Sequence, residues 1–208
     1  SAALGGRQAA VSVSKSDGGA DAGLDRAATL AAGRLAGLRL DFERLREGFS
    51  AAIVAGAFAR PGKARIRLPE ANPAAEEAAS FLPYHRYYLA MQGEMESAVR
   101  QLRARTRDAL AAATPAGAAL AALDAALDAS LVERERTLLA EVPQLLADRF
   151  ATLQRHGRGS DCCELRGELC DELREVMLAE LELRLLPAAG LLEALAQQCA
   201  GVPREAQG

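Results

Sequence analysis

The sequence predicts an all-α fold, an elongated antiparallel bundle of three to four long helices with a short C-terminal helix. Half of its 208 residues are hydrophobic, whereas aromatic residues make up 4% and tryptophan is absent. Alanine and leucine, which supply most of the apolar content, favour helix, while strands are enriched in β-branched and aromatic residues. Apolar residues recur with helical spacing, and strand-like alternation is lacking. We expect one helical-bundle domain over residues 21–200.

The first helix is predicted from about Asp21 to Ala59. Its apolar residues are three or four positions apart, a spacing typical of helices that pack along one face. They are Leu35, Leu38, Phe42, Leu45, Phe49 and Ile53. We expect part of this seam to stay uncovered in a lone chain, and uncovered apolar patches mark interfaces. Residues 1–20 and 201–208 are predicted to be flexible tails.

Prolines and glycines between residues 60 and 77 predict a linker within the domain. The second helix is predicted to begin near Pro83 and to end before Thr114, which can cap the third helix with Pro115 in its first turn. This short connection makes the second and third helices antiparallel neighbours. The apolar positions of the second helix are Tyr84, Tyr88, Met91, Met95, Val99, Leu102 and Ala109 or Leu110.

The third helix combines periodic leucines with an internal proline. Its apolar positions are Leu120, Leu123, Leu127, Leu131, Leu138, Val142, Leu146, Phe150 and Leu153. Pro143 removes a backbone hydrogen bond and clashes with the carbonyl four residues earlier, so we predict a kink or a break near Leu139–Pro143. A fourth helix is predicted from Asp161 to about Leu186. Pro187 and Gly190 then separate it from the short last helix.

Charge and cysteine content bound the class of protein. The net charge is −3, whereas domains that bind nucleic acids are usually strongly basic. Four cysteines do not form a disulfide framework in a chain of this size, which favours reduced thiols and a cytoplasmic location. No apolar run reaches the roughly 20 residues of a spanning helix. The N-terminus shows no signal-peptide pattern, so we expect no membrane insertion.

The stretch "QRHGRGSDCCELRGELC", residues 154–170, groups three cysteines with a histidine. Structural zinc sites typically use paired C-x₂₋₄-C units, and none is present. We interpret Cys163 and Cys170 as buried packing residues at an interhelical corner, where glycines end one helix and Ser160 or Asp161 caps the next. A metal or thiol redox site stays an alternative. Its weak candidate ligands are Cys162, Cys163, Cys170 and His156.

Tyrosines cluster around a histidine near the start of the second helix. A histidine among Tyr84, Tyr87 and Tyr88 can act as a general acid or base in catalysis. Alternatively, the tyrosine rings can stack on a nucleobase. No nucleophile or carboxylate lies beside His85 at helical spacing. We therefore interpret Tyr84 and Tyr88 as closing one end of the bundle, with Tyr87 and His85 partly exposed, and we consider the tyrosines candidates for partner contacts.

Arginine supplies almost all of the basic residues, because lysine occurs only at Lys15 and Lys63. Arg100, Arg103 and Arg107 share one helical stripe, which could bind phosphates or an acidic surface. A nucleic-acid accessory protein is therefore an alternative. The acidic fourth helix offers a simpler use, charge pairing within the bundle or across an oligomer.

Motifs of common enzyme classes are absent from the sequence. A carboxylate-bridged di-iron bundle needs Glu three residues before His, and Leu82 and Leu153 occupy those positions. Phosphate-binding loops, dinucleotide fingerprints and the nucleophile elbow are also missing. We expect no catalytic residues and no cofactor.

Three blocks of the chain resemble a proteobacterial family known as domain of unknown function 3348. They are "FLPYHRYYLAMQGEMESAVRQLRAR", "LAALDAALDASLVERERTLLAEVPQLLADRF" and "LREVMLAELELRLLPAAGLLEAL". The resemblance covers about residues 30–196. The family pattern has Arg in place of His85, which argues against catalysis by this histidine.

Family members are encoded near stator-like proton-channel and OmpA-like proteins and in defence-like clusters, so the resemblance implies an accessory role in such a complex. Our leading hypothesis is a cytoplasmic, non-enzymatic scaffold or interaction protein that forms homo-oligomers or binds protein partners.

Overall fold

The computed structural model describes residues 18–59, 65–69, 80–156 and 162–200, without the side chains of 18–25, 27–28, 156 and 162–165. The elements in this part of the chain are α1 (Gly18–Val54), β1 (Ala57–Phe58), β2 (Ile66–Arg67), α2 (Leu82–Ala113), α3 (Pro115–Leu139), α4 (Val142–His156) and α5 (Cys162–Ala200). The predicted tails 1–20 and 201–208 lie largely outside the described residues, as do 60–64 and 70–77 of the predicted linker.

Helices α2 and α5 form the centre of the bundle, and α1 packs against both. Helix α3 packs mainly on α2, and α4 packs on α5. One apolar cluster joins Ile53, Tyr88 and Leu173, and a second joins Leu38, Leu110 and Leu192. Helix α1 runs from the second cluster to the first, whereas α2 and α5 both run from the first to the second. The predicted all-α bundle is confirmed, with α1 antiparallel to the two central helices.

The end of α1 differs from the prediction. The helix ends at Val54, and Gly56 adopts a left-handed conformation with φ of 62° that side chains other than glycine rarely take. The backbone N–H of Leu68 donates to the Gly56 carbonyl at 2.7 Å, beside a two-residue antiparallel pairing of β1 with β2. These strands were not predictable from the sequence, because each is too short to show alternation.

The predicted interruption at Pro143 is confirmed as a break into two helices. Helix α3 ends at Leu139 and α4 begins at Val142, with Pro143 in its first turn, where a missing N–H costs nothing. The predicted cap at Thr114 also forms, because its hydroxyl accepts from the Gly117 N–H at 3.0 Å. A Cβ on Gly117 would overlap the Leu110 carbonyl and the Gln198 side chain, so a glycine permits this close approach of α3.

The predicted break at Pro187 is wrong, and no separate short C-terminal helix forms. Helix α5 runs through Pro187 without interruption. The proline removes one helical hydrogen bond, but Ala188, Leu191 and Leu195 beyond it are all buried in the second cluster. Tertiary packing therefore holds the helix together across the proline.

Candidate functional site

Helix α3 carries a row of leucines that the bundle does not cover. The only buried residues of this 25-residue helix are Gly117 and Ala121. The exposed leucines, called the leucine row below, are Leu120, Leu123, Leu127, Leu131 and Leu138. We expected the uncovered seam on the first helix, but Leu35, Leu38, Phe49 and Ile53 of α1 are buried. The uncovered apolar face therefore belongs to α3, because α2 and α5 together cover α1.

Helix α3 is attached to α2 through charged side chains. Arg103 donates to both oxygens of Asp124 at 2.6 and 2.9 Å and to Asp128 at 2.7 Å. Arg107 donates to the same two carboxylates at 3.3 and 3.1 Å. Burial lowers the pKa of Arg103, but the hydrogen bond to Asp124 and the negative charges of Asp124, Asp128 and Glu135 outweigh it, so the pKa is raised. The polar side of α3 thus faces the bundle, which leaves its leucines outside.

These contacts occupy the predicted arginine stripe. Arg103 and Arg107 bind carboxylates of α3, not of the acidic last helix. Arg100 pairs with Glu96, and Arg105 pairs with Asp41 at 2.7 Å. Each of these guanidinium groups already has an anionic partner, with which a nucleic-acid phosphate would compete.

A cleft of about 910 Å³ lies between α2, the α3–α4 corner and α5. Half-exposed leucines from three helices line it, namely Leu89, Leu131, Leu138 and Leu183. His85, which is partly exposed as predicted, lines the same cleft. The leucine row and the cleft are therefore continuous, since Leu131 and Leu138 belong to both.

A buried polar network joins α2, α3 and α5 at this cleft. The Tyr88 hydroxyl donates to Glu180 Oε2 at 2.7 Å, and Gln92 donates to Glu180 Oε1 at 3.0 Å. Arg184 donates to Glu180 Oε1 and reaches Glu135 of α3 at 3.1 Å. Burial, followed by the hydrogen bond and charge of Glu180, raises the pKa of Tyr88. Both Glu180 oxygens accept hydrogen bonds, so this carboxylate joins the helices.

Sequence reasoning missed this network because its main partners lie 92 residues apart. A local signal did exist. Glu180 and Arg184 interrupt an apolar series on α5 that includes Leu173, Met177 and Leu181. Ionisable residues are almost never fully buried unless they are paired, so a charged pair in such a series indicates a buried salt bridge.

The tyrosine cluster is more deeply buried than predicted. Tyr87 is 1% exposed, so its predicted partial exposure is wrong. Tyr84 and Phe150 lie with their ring centroids 5.8 Å apart, and Tyr88 is fully buried. Burial raises the pKa of Tyr84 and of Tyr87. Because these rings belong to the core, they offer no surface to a partner of the folded chain.

The cysteine stretch is only partly visible. Cys170 is buried, as predicted, and burial raises the pKa of its thiol. Its sulfur lies 4.0 Å from the Pro69 carbonyl oxygen. The side chains of Cys162, Cys163 and His156 and the caps at residues 157–161 fall outside the described residues. Within the described ranges, no group of three or more His, Cys, Asp or Glu side chains is arranged to hold a metal ion.

By length and composition alone, one stretch of the described chain, Pro115–Arg155, could cross a membrane. A single such stretch is weak support for a membrane protein, since helices of soluble proteins pass the same test. Only 11% of the apolar 18-residue segment within this stretch is buried, in agreement with the exposure of α3. The stretch also contains the break between α3 and α4 and the paired Asp124 and Asp128.

The described chain is an all-α bundle with an exposed leucine row beside an amphipathic cleft. It belongs to the family described as "Protein of unknown function (DUF3348)", which matches residues 6–197. This match confirms the resemblance carried by the three sequence blocks. No curated protein and no solved structure matches the chain.

Proposed function

We propose that this protein is a non-enzymatic helical interaction protein whose docking surface is the leucine row of α3. The observation that carries the proposal is the exposure of these leucines on a helix that is attached to the bundle by its charged side. Large contiguous apolar patches on soluble proteins mark interaction sites. Leu131 and Leu138 also line the cleft, so a docked partner would extend over the cleft mouth.

The leucine row can supply a useful binding free energy. Leu127 and Leu131 are 49% and 53% exposed, so about half of each side chain remains to be buried. Burying half a leucine contributes about 1 kcal/mol, and the row therefore contributes about 5 kcal/mol before the costs of association. This magnitude supports a reversible contact with affinity added by neighbouring groups.

The way α3 is attached to the bundle favours a protein, and not a lipid bilayer, as the partner of the leucine row. Moving α3 into hydrocarbon would separate Asp124 and Asp128 from Arg103 and Arg107, and unpaired charges are expensive there. A protein surface can cover the leucines while these ion pairs stay intact. The accessory role in a membrane-associated or defence-related complex that the family resemblance implies is compatible with such a contact.

The state of the polar groups supports a role without catalysis. A general acid or base must lie within hydrogen-bond reach of the reacting group with which it exchanges a proton. Both Glu180 oxygens accept hydrogen bonds, and Asp124 and Asp128 bind guanidinium groups. These three carboxylates thus hold helices together.

A quantitative capture experiment tests the proposal. The tagged full chain and its Leu127→Asp variant would be expressed in the source cells and purified after mild cross-linking. We expect the wild type to retain partner chains, including copies of itself, that the variant loses. Leu186→Asp is the matched control, because Leu186 is 63% exposed on α5 and lies outside the row. Recovery of the same amount of partner chains with the wild type, Leu127→Asp and Leu186→Asp would refute the proposal.

A further inference from the structure

Four leucines of the leucine row belong to a palindromic pattern of six positions on α3, which also includes Asp124 and Arg134. In chain order, these are Leu120, Asp124, Leu127, Leu131, Arg134 and Leu138. They are separated by alternating steps of four and three residues, the heptad spacing of a coiled-coil seam. The pattern reads the same from both ends about Ala129, except that Asp124 on one side corresponds to Arg134 on the other.

Two such seams are complementary only when they run in opposite directions. With Ala129 of each copy at the centre, Leu120 faces Leu138 of the second copy and Leu127 faces its Leu131. Asp124 then faces Arg134 of the second copy, and the same pair forms again on the other side of the axis. A parallel arrangement would instead place aspartate beside aspartate and arginine beside arginine, which is unfavourable.

We propose that α3 docks against α3 of a second copy of this chain, antiparallel and with a two-fold axis near Ala129. The inference rests on the proposed function, because it names the partner of the same leucine row. In a two-fold interface the same patch is used by both copies and must therefore be self-complementary. The palindromic seam meets that condition in both its apolar and its charged positions.

The charged positions of the seam are available for this pairing. Arg134 is exposed and has no ion-pair partner among the residues that the structure describes. The Asp124 carboxylate accepts three hydrogen bonds, two from Arg103 and one from Arg107. A carboxylate has about four acceptor positions, so one remains for Arg134 of the second copy. Since the Asp124 side chain is 13% exposed, the new pair would form at the edge of the seam.

The dimensions of α3 suit a modest dimer interface. A helix of 25 residues is about 38 Å long. Stable interfaces bury about 800 Å² per partner, a value that one exposed helix reaches only with help from its neighbours. Leu183 of α5 lines the same cleft as Leu131 and Leu138 and can add apolar area. We therefore expect a reversible dimer with a dissociation constant in the micromolar range.

Sedimentation velocity of the full chain over a wide dilution series tests the dimer. As the protein concentration rises, the wild type should change from a 21.9 kDa monomer to a species of twice that mass. Leu127→Asp should raise the dissociation constant about 100-fold, because the substitution enters the two-fold interface twice. Leu131→Asp should act similarly and is the second variant if the first folds poorly. Leu186→Asp, at a more exposed leucine outside the row, should leave the dimer unchanged.

Arg134→Asp isolates the charged part of the seam. It places two carboxylates where an ion pair is expected and should raise the dissociation constant about tenfold. Arg136→Asp makes the same change of charge on the same helix but outside the palindromic positions, so it should change the dissociation constant little.

A spin label at position 119, ten residues from the axis, reports the relative orientation of the two α3 helices. Antiparallel copies place two such labels about 30 Å apart along the helix axes, whereas parallel copies place them level.

The labelled protein would carry Ala119→Cys with the four native cysteines replaced by alanine, after sedimentation has shown that it still dimerises. A dimer that is insensitive to Leu127→Asp and Leu131→Asp, or labels at the same level, would overturn the inference. A strict monomer would also overturn it. If that monomer binds phosphatidylcholine–phosphatidylglycerol vesicles through the leucine row, the row is a lipid-binding surface. If it captures a different protein through the row, the proposed function stands and only the second copy is excluded.

Discussion

Helices α2 and α3 are antiparallel neighbours with similar apolar periodicity, but the apolar side chains are buried on α2 and exposed on α3. Helix α2 buries Tyr88, Met91, Met95 and Leu102 completely, because α1, α3 and α5 all pack against it. Helix α3 buries only Gly117 and Ala121, and its leucines stay exposed. The two helices meet through Arg103 and Arg107 on one side and Asp124 and Asp128 on the other.

The difference shows that apolar spacing defines a helix face without defining what covers it. On α2 the apolar face is directed to the core. On α3 the carboxylates of Asp124 and Asp128 face the arginines of α2, and the leucines lie on the side of the helix that the bundle leaves exposed. A helix attached in this way keeps its place in the bundle while presenting an apolar surface. The arrangement is suited to binding, since docking requires no rearrangement of the monomer core.

The largest expected effect contrasts one leucine from each helix. Leu102→Ala should lower the free energy of unfolding by about 3 kcal/mol, because it leaves a cavity at a side chain that is fully buried. Leu127→Ala on α3 should lower it by about 0.5 kcal/mol, since this side chain is half exposed. Urea unfolding of dilute protein, where self-association does not contribute, measures both. Similar losses for the two variants would contradict the contrast between the helices.

The charged attachment of α3 gives the second prediction. Asp124→Ala should lower the free energy of unfolding by about 2 kcal/mol, because Arg103 and Arg107 lose a partly buried partner. Asp41→Ala is the control. It breaks a single ion pair with Arg105, whose side chain is 56% exposed, and should cost about 0.5 kcal/mol. Equal effects of the two substitutions would show that the attachment depends on something other than these ion pairs.

The two prolines mark how much of the fold the sequence could predict. Pro143 and Pro187 both interrupt helical patterns, and only the first one ends a helix. Rules based on the local sequence predict a break in the helix at both prolines. The structure separates them because Ala188 and Leu191 are buried immediately after Pro187, whereas Glu141 and Leu145 beside Pro143 are exposed. Helix boundaries were therefore predictable where tertiary packing is weak.

The candidate site was less predictable than the fold. The spacing of Leu120, Leu127 and Leu131 was visible in the sequence, but their exposure depends on the partner of Asp124. That partner, Arg103, lies 21 residues away on the neighbouring helix α2. The sequence indicated charge pairing within the bundle but assigned it to the acidic last helix. Pairing between helices depends on their relative rotation, which periodicity alone does not determine.

Alkaline pH should weaken the fold through buried phenols on α2. Burial raises the pKa of Tyr84, Tyr87 and Tyr88 above the ordinary value of 10.0. The unfolded chain therefore releases these protons at a lower pH than the folded chain does. Their contribution to stability is complete below pH 10.0 and is lost as the pH rises above it. For each tyrosine the loss is at most about 1.4 kcal/mol per pH unit.

Urea unfolding as a function of pH checks the sign and the source of this effect. Tyr88→Phe should make the decline above pH 10.0 shallower, because one buried phenol no longer titrates. The control is the same series on Arg46→Ala, which changes an exposed ion pair and no tyrosine. A stability that rises with pH in this range would contradict the raised pKa values.

The smallest expected effect distinguishes two adjacent buried tyrosines at neutral pH. Tyr88→Phe should lower the free energy of unfolding by about 1 kcal/mol, because Glu180 loses a hydrogen-bond donor in a buried position. Tyr87→Phe removes a hydroxyl that has no hydrogen-bond partner among the described residues, so it should leave the stability unchanged or raise it slightly. Both substitutions delete one oxygen from a ring in the same cluster, which makes each the control for the other. A loss at Tyr87 equal to that at Tyr88 would mean that the hydroxyl bonded to Glu180 stabilises the fold no more than a hydroxyl without a hydrogen-bond partner.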